Sequence, residues 1–263
     1  MLAPLVRPAA RRFAVQIVTF DHLTGLHGLA AGSTWLTRQF AGSLLVAGTQ
    51  NIPAAGPLII ASNHPGMVDT VALFGAIPRT DLKAVAAVRP FLAELGNVSK
   101  YLINVTDDPN QRIRVVRSVA AHLRTGGSVV TFPAGKIEPD PLAMPGAVQA
   151  LQGWAESLGL FARLVPTCQI IPAIVSGVVS HGALDHPLAR LRGTQHHRER
   201  MGVTLQIMLR KYQQVVVHVA FGAPLSAEHM LADGLDARAI TQKVAAAAAG
   251  IISNPPTDWA KNF

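Results

Sequence analysis

The amino-acid sequence predicts an α/β protein: a single domain with a mixed, mostly parallel central sheet flanked by helices, plus an N-terminal helical arm. Short β-branched runs alternate with helical stretches from about residue 40 onward, as in sheets covered by helices on both faces. The run 58–62 is apolar throughout, which is typical of a strand buried on both faces. Hydrophobic residues make up 49% of the 263, enough for a large core. We therefore expect an arm over residues 1–40 and one domain over residues 41–263.

The individual elements follow from local composition. Predicted strands cover residues 43–48, 58–62, 83–88, 101–105, 128–132, 168–179 and 214–221, and predicted helices cover residues 110–124, 146–158 and 236–252. The first of these helices has one apolar stripe, formed by Ile113, Val116, Val119, Ala120 and Leu123. The longest apolar stretch, residues 164–184, contains two prolines, so we interpret it as a buried strand with its flanks rather than a membrane span.

Charge and composition limit the classes of partner. Lys and Arg total 23 against 15 Asp and Glu, a net charge of +8, which suits nucleic acid, an anionic membrane surface or an acidic small molecule. Aromatic residues do not alternate with the basic ones as in a stacking platform, so no nucleic acid partner is expected. A lone cysteine, Cys168, excludes an internal disulfide and a Cys-rich zinc site, and the histidine pairs lack the carboxylates or thiols that would complete a metal site. We expect no metal.

The most informative segment is residues 58–69, where an apolar strand ends at Asn63-His64 and Pro65-Gly66 turns the chain toward a helix. His64 should therefore project from the carboxyl end of a strand, where open α/β sheets bind ligands. Asp69 falls in the first turn of the helix and can fold back onto one imidazole nitrogen, leaving the other nitrogen basic. The alternative is that His64 only caps the helix while Asp69 is solvated. No G-x-S-x-G elbow occurs, so the pair would act as a general base on the hydroxyl or amine of the substrate.

A second candidate segment is residues 131–136, Thr-Phe-Pro-Ala-Gly-Lys. A predicted strand ends at Phe132, and Pro133 and Gly135 then force a tight turn. The backbone N–H groups of such a turn can form an anion-binding nest, with Lys136 as a point charge. The alternative is an ordinary turn with a solvated lysine.

These segments resemble the glycerolipid acyltransferases, the family of the lysophosphatidic acid and glycerol-3-phosphate acyltransferases. Residues 63–69 resemble its N-H-x4-D motif, and residues 46–60 resemble the lead-in to that motif. Residues 131–136 are similar to its F-P-E-G block, and residues 170–175 to its late apolar-Pro strand. The four segments come in the family's order, and the resemblance covers roughly residues 40–225.

The resemblance implies transfer of an acyl group from a thioester, acyl-CoA or acyl carrier protein, to a hydroxyl of a glycerol-phosphate-type or lysophospholipid acceptor. It implies His64 as general base, Asp69 as its orienting carboxylate, no covalent acyl-enzyme and no cofactor beyond the thioester co-substrate. Acceptor or oxyanion binding would fall to the neighbouring motif residues, namely Asn63, Phe132, Pro133, Gly135, Lys136 and Glu138. The family's phosphate-binding Arg is absent from residues 101–105, which leaves Lys100, Arg112 and Arg114 as candidates for phosphate binding.

Two positions depart from the family pattern: Ala134 stands at the glutamate of the F-P-E-G block, and Ile137 stands where a basic residue is typical. These departures leave the acceptor open. They also leave open a catalytically altered relative that only binds lipid, and an N-acyltransferase or hydrolase on the same scaffold.

Amphiphilic substrates imply contact with a bilayer. In the arm, apolar residues are interspersed with Arg7, Arg11 and Arg12, as in helices that lie in a membrane interface. Residues 189–212 carry six basic residues and one acid and form a second candidate. Both segments equally suit core-packing helices with solvated basic faces. We expect peripheral or monotopic attachment at the cytoplasmic face of the cell membrane.

Overall fold

A computed structural model describes residues 3–66, 68–87, 90–105 and 109–263. Its strands are β1 Ser43–Ala47, β2 Leu58–Ser62, β3 Leu82–Ala87, β4 Leu102–Val105, β5 Ser128–Thr131, β6 Gln169–Ser176, β7 Val216–Phe221, β8 Leu225–Ser226 and β9 Ala260–Lys261. They form one sheet in the order β4-β3-β5-β2-β6-β7-β1-β9, with β8 paired to β6. Strands β4, β3, β5, β2 and β6 are parallel, whereas β7 is antiparallel to β6. The predicted mixed, mostly parallel sheet is confirmed.

Helices cover both faces of this sheet. They are α1 Ala3–His27, α2 Leu29–Arg38, α3 Asp69–Ala76, α4 Pro90–Ala93, α5 Pro109–Arg124, α6 Ala147–Ala150, α7 Ser157–Leu164, α8 His181–Leu184, α9 Pro187–Arg190, α10 Gln195–Met208, α11 Ala227–Ala232 and α12 Ala237–Ser253. Alternate residues of β2 enter two separate cores. Leu58 and Ile60 pack with α2 and α3, and Ile59 and Ala61 pack with α5, α7 and α12. This alternation follows from the two-residue period of a strand, and it explains why the whole of β2 is apolar.

The two helices of the arm pack directly on the domain. Phe20 of α1 and Leu36 of α2 belong to the same core as α3. The Asp21 carboxylate accepts the backbone N–H groups of Asn97 and Val98 at 2.9 and 2.8 Å, which fastens α1 to the turn before β4. Along the described part of the chain, no helix is long and apolar enough to cross a membrane.

The predicted strands agree with the structure to within a few residues, except that Val88, the predicted end of β3, lies outside the described residues. The predicted helix 146–158 is wrong. In its place, α6 runs into a 3-10 turn, Leu151–Gly153, and Trp154 then takes an extended conformation at φ −63° and ψ 132°. The break is held by the backbone N–H of Ala155, which donates to Pro133 O at 3.0 Å. In α5, Ile113 is 59% exposed and lies outside the buried part of the predicted stripe.

A buried arginine clamps the opposite end of the sheet from His64. The Arg79 guanidinium donates to the carbonyls of Pro53, Gly56 and Gly126 at 2.9–3.1 Å and to the Asp81 carboxylate at 2.6 Å. Burial acts to raise the pKa of Asp81, but the hydrogen bonds from Arg79 and Ser128 and the Arg79 charge hold that pKa below its usual value. One side chain thus supplies hydrogen bonds to three carbonyls and one carboxylate in the loops at the amino ends of the strands.

Candidate active site

The sharp chain reversal after β2 brings His64 and Asp69 together. Residues 63–66 leave the sheet at its carboxyl edge, and α3 begins at Asp69. Gly66 has φ +86°, a left-handed conformation that favours glycine. Its N–H donates to Asp69 Oδ2 at 2.7 Å. The turn therefore folds the first carboxylate of α3 back toward the strand that precedes it.

The imidazole and the carboxylate are in direct contact. His64 Nδ1 lies 2.7 Å from Asp69 Oδ2. The other oxygen, Oδ1, accepts the N–H and, at 3.0 Å, the hydroxyl of Thr70. Because an ionised carboxylate only accepts hydrogen bonds, this contact places the imidazole proton on Nδ1 and leaves the lone pair on Nε2. Asp69 is 1% exposed and His64 is 28% exposed, so solvent reaches the imidazole but not its partner.

A second buried carboxylate holds the backbone of His64. Glu138 Oε2 accepts the His64 N–H at 3.0 Å, and the Glu138 N–H donates to His64 O at 2.8 Å. Glu138 Oε1 accepts the indole N–H of Trp154 at 3.1 Å. Glu138 is 3% exposed, so two hydrogen bonds inside the protein fasten the loop after β5 to the backbone of His64, and a third joins that loop to Trp154.

The two carboxylates make His64 more basic than usual. Burial acts most strongly and lowers the pKa of His64, but the Asp69 charge, its hydrogen bond and the Glu138 charge together raise that pKa above 6.5. Burial has the opposite effect on a carboxyl group and raises the pKa of Glu138, although the hydrogen bonds from Trp154 and His64 act against this rise. The result is an imidazole with a free Nε2 and an enhanced affinity for a proton.

The side chain of Asn63 is committed to structure. Its Nδ2 donates to Val175 O at 2.9 Å, and its Oδ1 accepts the Val175 N–H at 2.8 Å. The residue is 1% exposed. Asn63 therefore ties the end of β2 to β6, directly before His64 leaves the sheet. The predicted role of Asn63 in acceptor or oxyanion binding does not agree with this contact, because the side chain is bonded to Val175.

The predicted turn after β5 lies beside the imidazole. The ring centroids of Phe132 and His64 are 4.5 Å apart. Pro133 is buried, and Gly135, at φ +63°, donates its N–H to Phe132 O at 3.0 Å. That N–H closes the turn and is not free for an anion. Lys136 is exposed, and its charge acts on Glu138, so it is a cation of this loop close to the site.

Two of the predicted phosphate-binding residues, Lys100 and Arg114, are not brought to His64. Lys100 precedes β4, and since β4 is parallel to β2, this lysine lies at the amino edge of the sheet, roughly 20 Å away along the strand direction. There its Nζ donates to Asn97 Oδ1 at 3.1 Å. Arg114 lines a separate cavity of about 360 Å³ with Lys83, on the α5 side. The side chain of Arg112 lies outside the described residues.

An apolar rim of exposed side chains lies on loops at the carboxyl edge of the sheet. Phe91, after β3, and Ile137 and Leu142, after β5, are 54–61% exposed. The Ile137 Cδ1 atom lies 3.1 Å from the point that a Cβ on Gly66 would occupy, so this side chain covers the turn next to the dyad. Exposed apolar side chains of this size on loops that follow adjacent strands are typical of a binding surface for an apolar ligand.

Sequence reasoning missed two contributors to the site. Trp154 is predicted to lie inside a helix, and nothing in its neighbourhood marks it as a partner of Glu138. Thr70 directly follows the motif. A hydroxyl one residue after a predicted catalytic carboxylate can donate to that carboxylate, so this contact could have been predicted from the sequence.

Other kinds of chemistry find little support in the described ranges. No group of three or more His, Cys, Asp or Glu side chains there is placed to hold a metal ion. Burial raises the pKa of Cys168 to about 12, so this thiol is a poor nucleophile.

Comparison with known proteins gives a matching family model and a similar solved structure. The family model described as Acyltransferase matches residues 43–176, just over half of the chain. The chain is also similar to the solved structure of PlsC, the 1-acyl-sn-glycerophosphate (LPA) acyltransferase of Thermotoga maritima. That match has a TM-score of 0.53 and 14% identity, and it covers 94% of this chain and 99% of that one, which shows a shared fold. Comparison with curated protein sequences gives no match.

The family match begins at the first residue of β1, ends at the last residue of β6 and includes His64, Asp69 and the turn after β5. The resemblance drawn from the motifs is thus confirmed at the level of the family: the chain belongs to the Acyltransferase family and is an acyltransferase.

Proposed function

We propose that this enzyme transfers a fatty acyl group from an acyl thioester, acyl-CoA or acyl carrier protein, to a hydroxyl of a glycerol-phosphate-type or lysophospholipid acceptor. The observation that carries the proposal is the contact of 2.7 Å between His64 Nδ1 and a buried carboxylate, which leaves Nε2 as a base at an apolar rim. The same motif-bearing edge lies within the family match.

In the proposed reaction, His64 Nε2 removes the proton of the acceptor hydroxyl as its oxygen attacks the thioester carbonyl. The buried Asp69 carboxylate stabilises the imidazolium that forms, in the way that a triad aspartate does. When the tetrahedral intermediate collapses, the C–S bond breaks and the imidazolium returns its proton to the sulfur. The products are an ester and a free thiol, and no acyl-enzyme is formed.

Rigid placement of the base is the contribution of the second carboxylate. Glu138 binds both backbone polar groups of His64 through its own backbone and side chain, so the backbone that carries the imidazole is fixed relative to the turn that carries Lys136. A reacting group held in this way needs less ordering when substrate binds. Glu138 is a positioning residue in this scheme.

The loop after β5 suits an acceptor with a lipid tail. Lys136 supplies a cation for a phosphate. Ile137 is 61% exposed and supplies apolar surface at a position where a basic residue is typical of the family. With one cation on this turn, we propose a lysophospholipid or glycerol-phosphate-type acceptor bound largely through its apolar part. The amphiphilic substrates and the basic arm support peripheral attachment at the cytoplasmic face of the cell membrane.

Product analysis tests the proposal. The purified enzyme is incubated with isotope-labelled palmitoyl-CoA and, separately, with glycerol 3-phosphate, lysophosphatidate, lysophosphatidylcholine, a long-chain amine or no acceptor. We expect a labelled ester with at least one hydroxyl acceptor, identified by mass, and no ester with His64→Ala. Labelled free fatty acid alone would indicate a hydrolase, a labelled amide would indicate an N-acyltransferase, and either result would overturn the proposal. Lys243→Ala, on the exposed side of α12, is the control variant and should retain activity.

A further inference from the structure

A basic cavity of about 820 Å³ lies where the arm meets the end of α10, apart from the His64 site. Four arginines line it: Arg7, Arg11, Arg12 and Arg210. Its lining, drawn from the described residues, contains no carboxylate. Like charges this close repel one another unless an anion lies between them, so the cavity is electrostatically complementary to an anionic group.

One of these arginines shapes the cavity. The Arg12 guanidinium donates to the carbonyls of Ile207 and Met208, both at 3.2 Å, at the carboxyl end of α10. This contact fixes α1 against α10 and brings Arg210, in the 3-10 turn that follows, to the opposite wall. The cavity is therefore built by a specific contact between two helices that are far apart in the chain.

One residue of the cavity wall carries a buried acceptor that has no partner. Gln16 lines the cavity and is 9% exposed, and its Oε1 atom has no hydrogen-bond partner. A buried acceptor left unpaired costs about 1–3 kcal/mol. It can be satisfied by an occupant that carries an O–H or N–H donor beside its anionic group.

The surroundings of the cavity favour an occupant that is part of a bilayer. At about 100° per residue, Arg7, Arg11, Val15, Val18 and Leu26 fall within about a third of the circumference of α1. The three apolar members of this face are 58–65% exposed. A helix face that is both cationic and apolar is typical of helices that lie in a membrane interface. Trp35, whose indole suits the same depth, forms part of the cavity wall.

We propose that this cavity binds the headgroup of an anionic phospholipid, with the arginines on the phosphate and Gln16 Oε1 accepting a headgroup hydroxyl. This inference rests on the proposed membrane attachment and not on the acyl-transfer chemistry.

Vesicle binding of the full chain tests this site. Phosphatidylcholine vesicles are compared with vesicles that also contain phosphatidylglycerol or phosphatidylmethanol, which has the same charge but no headgroup hydroxyl. Each basic residue near an anionic leaflet strengthens binding about fivefold, so Arg11→Gln with Arg210→Gln should weaken binding to phosphatidylglycerol vesicles about 30-fold. The matched control is Arg238→Gln with Lys243→Gln, which removes the same charge from exposed positions of α12. The control should change binding by less than about threefold.

A second variant separates the headgroup from general charge attraction. Gln16→Met keeps the size of the side chain and removes the acceptor, so it should abolish an approximately fivefold preference for phosphatidylglycerol over phosphatidylmethanol. Equal effects of the two double variants, or binding to phosphatidylcholine vesicles as tight as to anionic ones, would overturn the proposal. Binding of soluble CoA that depends on Arg11 and Arg210 would also overturn it, because the cavity would then serve the acyl donor. Acyl transfer with detergent-dispersed substrates should persist in the Arg11/Arg210 variant, so loss of lipid binding and failure of the proposed chemistry give different results.

Discussion

Replacement of Asp69 by asparagine tests the dyad at a single atom. The carboxylate accepts from fixed donors on both sides, His64 Nδ1 and the Gly66 N–H on Oδ2 and the Thr70 N–H on Oδ1. An asparagine amide group must place its NH2 against one of these two backbone N–H groups. If the asparagine NH2 faces Gly66 and His64, it donates to Nδ1 and forces the imidazole proton onto Nε2. His64 Nε2 can then no longer act as a base.

The loss of charge adds to this effect whichever way the amide points. The charge centres of an imidazolium and a carboxylate joined by one hydrogen bond lie about 4 Å apart, which at an effective dielectric constant of about 20 corresponds to about 4 kcal/mol. This stabilisation is needed only when His64 has taken the proton. We therefore expect Asp69→Asn to lower kcat by about 10³-fold, with KM for the thioester changed far less.

The assay follows thiol release from acyl-CoA in the presence of acceptor, with circular dichroism to show that the variant is folded. Asp21→Asn is the matched control, because Asp21 also accepts two backbone N–H groups but lies beside Asn97, away from the dyad. The control should retain activity. A folded Asp69→Asn enzyme within about threefold of the wild-type rate would refute the assigned role of this carboxylate.

Three further predictions concern the pKa of His64, the turn at Gly66 and the Arg79 clamp. The carboxylates raise the pKa of His64 above 6.5 and the base must be neutral, so kcat/KM should fall as pH drops through a value above 6.5. Glu138→Gln should move this fall to lower pH. An unchanged pH profile in that variant would exclude an effect of Glu138 on the pKa of His64. Gly66→Ala places a side chain at φ +86°, which costs about 1–2 kcal/mol, so Tm should fall by roughly 2–8 °C together with activity; Gly153→Ala, which has open space around it, should change neither. Arg79→Leu leaves three carbonyls without their donor, and chemical denaturation should show a loss of about 2–4 kcal/mol with activity per folded molecule preserved; a loss below about 0.5 kcal/mol would show that the clamp is not needed.

Local pattern predicts the strands of the sheet and suggests the pairing of His64 with Asp69, which the resemblance to the family favours over a capping role for His64. Apolar β-branched runs indicate buried strands. The turn at Pro65-Gly66 is short, so it directs the carboxylate of Asp69, five residues after His64, back toward the imidazole. Both signals lie within a dozen residues, so no tertiary information is needed to read them.

The misplaced residues depend on contacts between distant parts of the chain. Glu138 meets His64 across 74 positions. Trp154, which donates its indole N–H to Glu138, lies where the hydrogen bond from Ala155 to Pro133 holds the break in the predicted helix. Lys100 seemed close to the site because it is near in sequence to a family motif, yet it precedes a parallel strand and so lies at the opposite edge. Asn63 is adjacent to the base, but strand alternation turns it inward to Val175.

The role of His64 Nε2 in removing the acceptor proton is tested by acceptor-dependent thiol release in His64→Ala. We expect a folded enzyme that still binds acyl-CoA but releases thiol no faster with the best acceptor than without one. Acceptor-dependent release at the wild-type rate in that variant would contradict it.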